Sequence, residues 1–232
     1  MSSVSTPFAP VAAIPAVLVA VRAMNSSGIV PVLDEAATHH GLDAILDEVV
    51  FPALRVVGTF WVDGSLDVAH EHLLSRAVTR WAYAQLQRQH VRRQGRILLA
   101  AGRENLDVLG PDCLELLLAD RGVEVCNLGR QIPPTSLVVA ARQADATAVV
   151  VCSHNPSSPS RPSNAVRAVH AAGFPVYYAG SSFESQFVRQ HFPGDALDAP
   201  LSVSAGLLTS RHTVAVTHAA PSLPRTVAEV SA

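Results

Sequence analysis

RILLAAGRENLDVLGPDCLELLLADRG, residues 96–122, decides the fold. It opens on a short apolar run rich in β-forming residues. A polar loop then closes on Gly110, and a helix is expected from Pro111 onward. The same alternation continues downstream. VEVCNLG, TAVVVCS and PVYYAG are three more short strands, separated by the helical stretches PTSLVVAARQA and PSNAVRAVHAAG. Strands alternating with helices imply a doubly wound parallel sheet, with ligand loops at the carboxyl ends of the strands. Three of the four strands end on glycine and one on Ser153.

Upstream of residue 96 the period is helical. AIPAVLVAVRAMN, IVPVLDEAATHHG, LDAILDEVVFPALRVVGTFW and LDVAHEHLLSRAVTRWAYAQLQRQ carry apolar stripes with short connections, the pattern of a four-helix bundle. Gly41 stops the second helix, and the third tolerates or kinks at Pro52. The expected organisation is α + α/β: residues 1–11 a flexible N-terminus, 12–90 a four-helix bundle and 91–95 a linker. Residues 96–215 form a flavodoxin- or Rossmann-like sheet domain, and 216–232 a loose tail rich in Ala, Pro and Ser.

Composition narrows the chemistry. Of the 232 residues, 49% are hydrophobic and 16% charged, which suits a well-packed chain rather than a disordered one. The net charge of −2 gives no reason to expect nucleic-acid binding. All 17 basic residues are arginine, which excludes Schiff-base and P-loop lysine chemistry. The three cysteines form no CxxC pair and read as buried thiols of an intracellular chain. FAPVAAIPAVLVAV is too short and too proline-broken for a membrane span. The cytoplasm is therefore the expected compartment.

Two local patterns point to a site. Trp61 ends the third helix, and nine residues later Glu71-His72 open the fourth, so a hairpin brings an indole, a carboxylate and an imidazole together. On the sheet side, Asn105, Asp107 and Gly110 follow the first strand, Leu128 and Gly129 end the second, Ser153 ends the third and Gly180 the fourth. Glycine and serine at strand ends let backbone approach a bulky ligand, and the helix opening at Pro111 offers N–H groups to a phosphate.

Together these patterns resemble the cobalamin-binding module of the light-responsive MerR-type repressors and related corrinoid proteins, over residues 12–210. The resemblance implies that Trp61, Glu71 and His72 cap the upper face of a corrin. It places Gly110, Leu128, Gly129, Ser153 and Gly180 on the walls of the pocket for its nucleotide tail. The departures are as specific. Asp107 stands where the family has a cobalt-coordinating histidine, Asn105 where it has an acidic residue, and Ala179 where it has a first glycine. Val62 replaces a histidine of the photoreceptor members. A carboxylate is a poor substitute for imidazole on a cobalt–alkyl centre, so no lower axial ligand is expected from this loop.

Among other ring nitrogens, His154 and His70 are the candidates for a cobalt ligand, although each reads first as a polar rim residue. His39 and His40 read as helix-end residues. The expected function is a stand-alone, non-enzymatic cobalamin sensor acting through a regulatory protein partner or self-association, without direct DNA binding. The alternatives are a pocket re-used for haem or a bilin, a ligand-free interaction scaffold and, last, a corrinoid carrier subunit of a methyltransferase or mutase.

Overall fold

The computed structural model describes residues 9–89, 95–102, 109–154, 160–184, 190 and 192–212. After a 3-10 turn at Pro10–Ala13, the helical half runs α1 (Ile14–Arg22), α2 (Ser26–Ala44), a π segment (Ile45–Val50), α3 (Phe51–Val62) and α4 (Val68–Leu86). Gly41 breaks α2 with φ +80°, the stop expected there. The π segment directly precedes Pro52. Proline offers no N–H to the turn before it, and the widened π turn is how this helix passes it without a sharp bend.

The second half runs β1 (Arg96–Ala101), α5 (Leu109–Asp120), β2 (Glu124–Arg130), α6 (Pro134–Gln143), β3 (Ala148–Cys152), α7 (Ser160–Ala171), β4 (Val176–Ala179), β5 (Asp195–Ala196) and α8 (Leu201–His212). The strands are parallel in the order β2-β1-β3-β4-β5, the flavodoxin-like arrangement. Two elements went unanticipated. β5 pairs Asp195 with Tyr177 and Ala196 with Tyr178, too short a strand to leave a periodic signal. α8 follows it.

The period of two along β1 divides the core. Ile97 and Leu99 face one side with Leu116, Leu117 and Val150, whereas Leu98 and Ala100 face the other with Leu137, Val149 and Val166. The first side is continuous with the bundle: Val17, Leu33, Leu46, Leu74 and Trp81 belong to the same apolar cluster as Leu99 and Leu116. The bundle is thus seated on one face of the sheet through α5 and α8.

Polar ties reinforce that seat. Asp47 of the π segment accepts from Leu201 N–H at 2.9 Å and Ser202 N–H at 3.2 Å, capping α8 from across the chain. Arg121 donates to both oxygens of Asp43 at 2.8 Å. Removing a capping carboxylate exposes the unpaired N–H groups of the first turn, so Asp47→Ala should cost about 1–2 kcal/mol of stability. Urea unfolding followed by circular dichroism measures it.

Candidate functional site

Four of the sequence-derived site residues lie at the carboxyl edge of the sheet, as the topology requires. Gly110 is in the first turn of α5, Gly129 near the end of β2, Ser153 just past β3 and Gly180 just past β4. Asn105 and Asp107 lie outside the described residues. The β1 and β3 ends are tied by Gly102 N–H donating to Cys152 O at 2.7 Å.

Gly180 and Ser153 are brought into direct contact. Gly180 sits at φ +100°, and a Cβ placed on it would stand 2.2 Å from the Ser153 carbonyl oxygen and 3.2 Å from His154 Cε1. Ser153 is buried, its N–H donates to Ala179 O at 2.9 Å, and its hydroxyl accepts from Ser182 Oγ at 2.9 Å. Gly180 is therefore glycine because the chain itself crosses there, a stronger reason than room for a ligand. His154 is exposed, and its carbonyl accepts from Ser181 Oγ at 2.8 Å.

Gly110 and Gly129 differ. Among the described residues, neither has an atom within 4 Å of a would-be Cβ beyond its own chain neighbours, so none of those residues crowds them. Gly129 has φ +68°, and its N–H is held by Asn127 Oδ1 at 3.1 Å. Leu128, half-buried beside it, packs against the core cluster on the face away from the bundle.

On the helical side, the turn at residues 63–67 joins α3 to α4, so Trp61 and the Glu71-His72 pair sit on adjoining helix ends. Ser65 N–H donates to Asp63 Oδ1 at 2.8 Å, and buried Leu66 anchors the turn to Phe60 O at 2.9 Å. Trp61 is 49% exposed and Val62 82%, an apolar tip facing solvent. The second tryptophan, Trp81, is the core one: it is fully buried and donates Nε1–H to Asp34 Oδ1 at 3.0 Å. Glu71 is buried and His72 exposed. His70 completes a capping box with Asp67, its Nδ1 accepting from Asp67 N–H at 3.1 Å. That bond occupies one of its two ring nitrogens.

The sequence reading missed a polar cluster beside this edge. Asp112, in the first turn of α5, is buried, and burial pushes its carboxyl up to about 6. Asn127 Nδ2 opposes that shift by donating to Asp112 Oδ1 at 3.1 Å, while the Glu115 charge adds to it. Glu115 is raised too, chiefly by burial, and accepts from Asn127 Nδ2 at 2.8 Å. The available signal was Asn127 itself, a strand-disfavoured residue in the middle of VEVCNLG. Cys113 is fully buried and burial holds its thiol protonated, which makes it a packing residue.

A corrinoid carries cobalt in its own macrocycle and asks the protein for shaped surfaces rather than a cage. Among the described residues no group of three His, Cys, Asp or Glu is placed to hold a bare metal ion. The uncrowded edge at Gly110 and Gly129 and the exposed indole of Trp61 fit the larger group. No helix among the described residues is long and apolar enough to cross a membrane.

Comparison with known proteins agrees in part and in detail. Residues 14–83 match the family described as B12 binding domain. The chain is 29% identical over 171 residues to the HTH-type transcriptional repressor CarH of Myxococcus xanthus, covering 72% of this chain and 57% of that protein. It is 28% identical over 127 residues to methionine synthase of Mycobacterium leprae, covering 50% of this chain and 10% of that enzyme. The chain thus spans little more than half of one curated relative and a tenth of the other. The monomethylamine corrinoid protein of Methanosarcina barkeri shares its fold, with a TM-score of 0.65 at 12% identity over 82% of this chain and 94% of that one.

Proposed function

We propose that this chain, whose residues 14–83 match the family described as B12 binding domain, is a non-enzymatic cobalamin sensor whose ligand alters how the bundle sits on the sheet. The observation that carries this reading is the position of the family match. It contains Trp61, Glu71 and His72, and the similarity to a transcriptional repressor spans 171 residues, more than that match alone can hold. In this reading Trp61, Glu71 and His72 cover the upper face. Gly110, Gly129 and Ser153 bound the lower pocket, and Gly180 fixes Ser153 in place. Bound cobalamin supplies a cobalt–carbon bond, and the protein reads its upper group through Trp61. The output passes through a protein partner or self-association.

A corrinoid carrier subunit is the second reading, favoured by the segment similar to methionine synthase. Asp107 in place of the expected histidine weighs against it.

Reconstitution of the full chain with adenosylcobalamin and hydroxocobalamin, followed by gel filtration, tests the proposal. A cobalamin spectrum co-eluting with protein is the expected result, and a colourless protein peak with both forms overturns it. Trp61→Ala should weaken retention of the adenosyl form more than the hydroxo form, because a half-exposed indole has a bulky upper group to cover. The stability of the ligand-free variant should change by less than about 1 kcal/mol.

A further inference from the structure

Polar side chains from three elements meet where the bundle rests on the sheet. Asp112 of α5 receives Asn127 on one carboxylate oxygen, and its other oxygen, Oδ2, is buried with no hydrogen bond. Asn127 of β2 is fully engaged: Nδ2 donates to Asp112 and Glu115, and Oδ1 holds the N–H of Gly129. From α4 comes Tyr83, 46% exposed. Its phenol is near enough to help lower the Asp112 carboxyl against the effect of burial. Burial and then the charges of Asp112 and Glu115 raise the phenol in turn. No hydrogen bond from Tyr83 to Oδ2 is closed.

A buried carboxylate oxygen without a donor is costly, and here the missing donor stands on the neighbouring helix. A shift of α4 over α5 that brought the phenol onto Oδ2 would satisfy it, giving the interface a second arrangement beside the one with Oδ2 open. Among the described residues, the groups acting on Asp112 are Glu115 on its own helix, Asn127 from β2 and Tyr83 from α4, none of them a cation. At the other end of the chain of bonds lies Gly129, which no other described residue crowds at the sheet edge. A ligand group pressing on Gly129 moves Asn127, because the two are bonded.

We propose that Asn127, Asp112 and Tyr83 form the link by which a ligand group bound against Gly129, at the end of β2, changes the seat of α4. The inference rests on the cobalamin reading above and names the path by which that site regulates the bundle. Tyr83 is a positioning residue in this scheme and need not touch the ligand.

The test uses the full chain and Tyr83→Phe, which removes only the hydroxyl. Without ligand, the inflection near pH 6 in a plot of stability against pH should move upward in the variant, because the phenol helps hold the Asp112 carboxyl down. An unmoved inflection overturns the link. With hydroxocobalamin as probe, amide exchange over residues 79–86 of the parent chain should slow by about tenfold. The variant should bind with the same spectrum and at most a few-fold weaker affinity, the coupling lost with the hydroxyl, but slow by less than about threefold. Equal protection in both proteins, or none in the parent chain despite a bound-cobalamin spectrum, overturns the link alone. A parent chain that yields no bound spectrum overturns the functional reading and the link with it.

Discussion

Gly180→Ala will cost about 3–5 kcal/mol and abolish cobalamin retention through the backbone rather than by blocking a pocket. The added methyl would meet the Ser153 carbonyl at 2.2 Å, in a conformation at φ +100° that side chains rarely adopt. Neither partner can retreat. Ser153 is pinned by its bond to Ala179 and its hydroxyl contact with Ser182, and both contacts lie at the β3–β4 edge. Gly129→Ala is the matched control: its φ is +68°, no other described residue crowds it, and the expected cost is about 1 kcal/mol. Urea denaturation of both ligand-free variants separates the cases. Equal costs would mean that the Gly180–Ser153 crossing contributes nothing special.

Asp112→Asn should change the pH profile as well as the stability. Burial raises the native carboxyl to about 6 from its ordinary value of 3.8, so the native state holds a proton that the unfolded chain releases. Stability from this group is complete below the unfolded value and is lost as pH rises through about 6. At pH 8 the ionised, buried carboxylate therefore costs up to about 3 kcal/mol. Asparagine keeps an acceptor for Asn127 without the charge. The variant should be the more stable protein at pH 8, and its stability should fall less between pH 5 and pH 8. A residual slope of the same sign is expected from Glu115, which burial also raises. Identical slopes in the two proteins would show that Asp112 is ionised without penalty.

The fold was legible because its signals are local. A change from helical period to short apolar runs near residue 96 separates bundle from sheet. Glycine or serine at each of the first four strand ends marks the carboxyl edge. What escaped depends on contacts between distant residues. Asp47 caps a helix that begins at Leu201, and nothing in ILDEVV announces it. β5 owes its existence to the edge of β4 rather than to its own two residues. Gly180 was legible as a strand-end glycine, but not the reason for it, which is a backbone crossing with Ser153. Asp112 resembled an ordinary acidic residue in a first helical turn, and only packing made it a buried acid. The identity of the lower face, carried by Asn105 and Asp107, still rests on the sequence, because those residues lie outside the described ones.

The apolar cluster that runs without a seam from Val17 to Val150 bears on how such chains are inherited. A domain boundary that recombination can use has few contacts across it. Here a cut near residue 90 would strip the cover from Leu116 and Leu117 on one piece and from Leu74 and Trp81 on the other, leaving sticky faces on both. Bundle and sheet are therefore expected to be inherited as a single cassette, with fused modules placed outside the pair rather than between its halves.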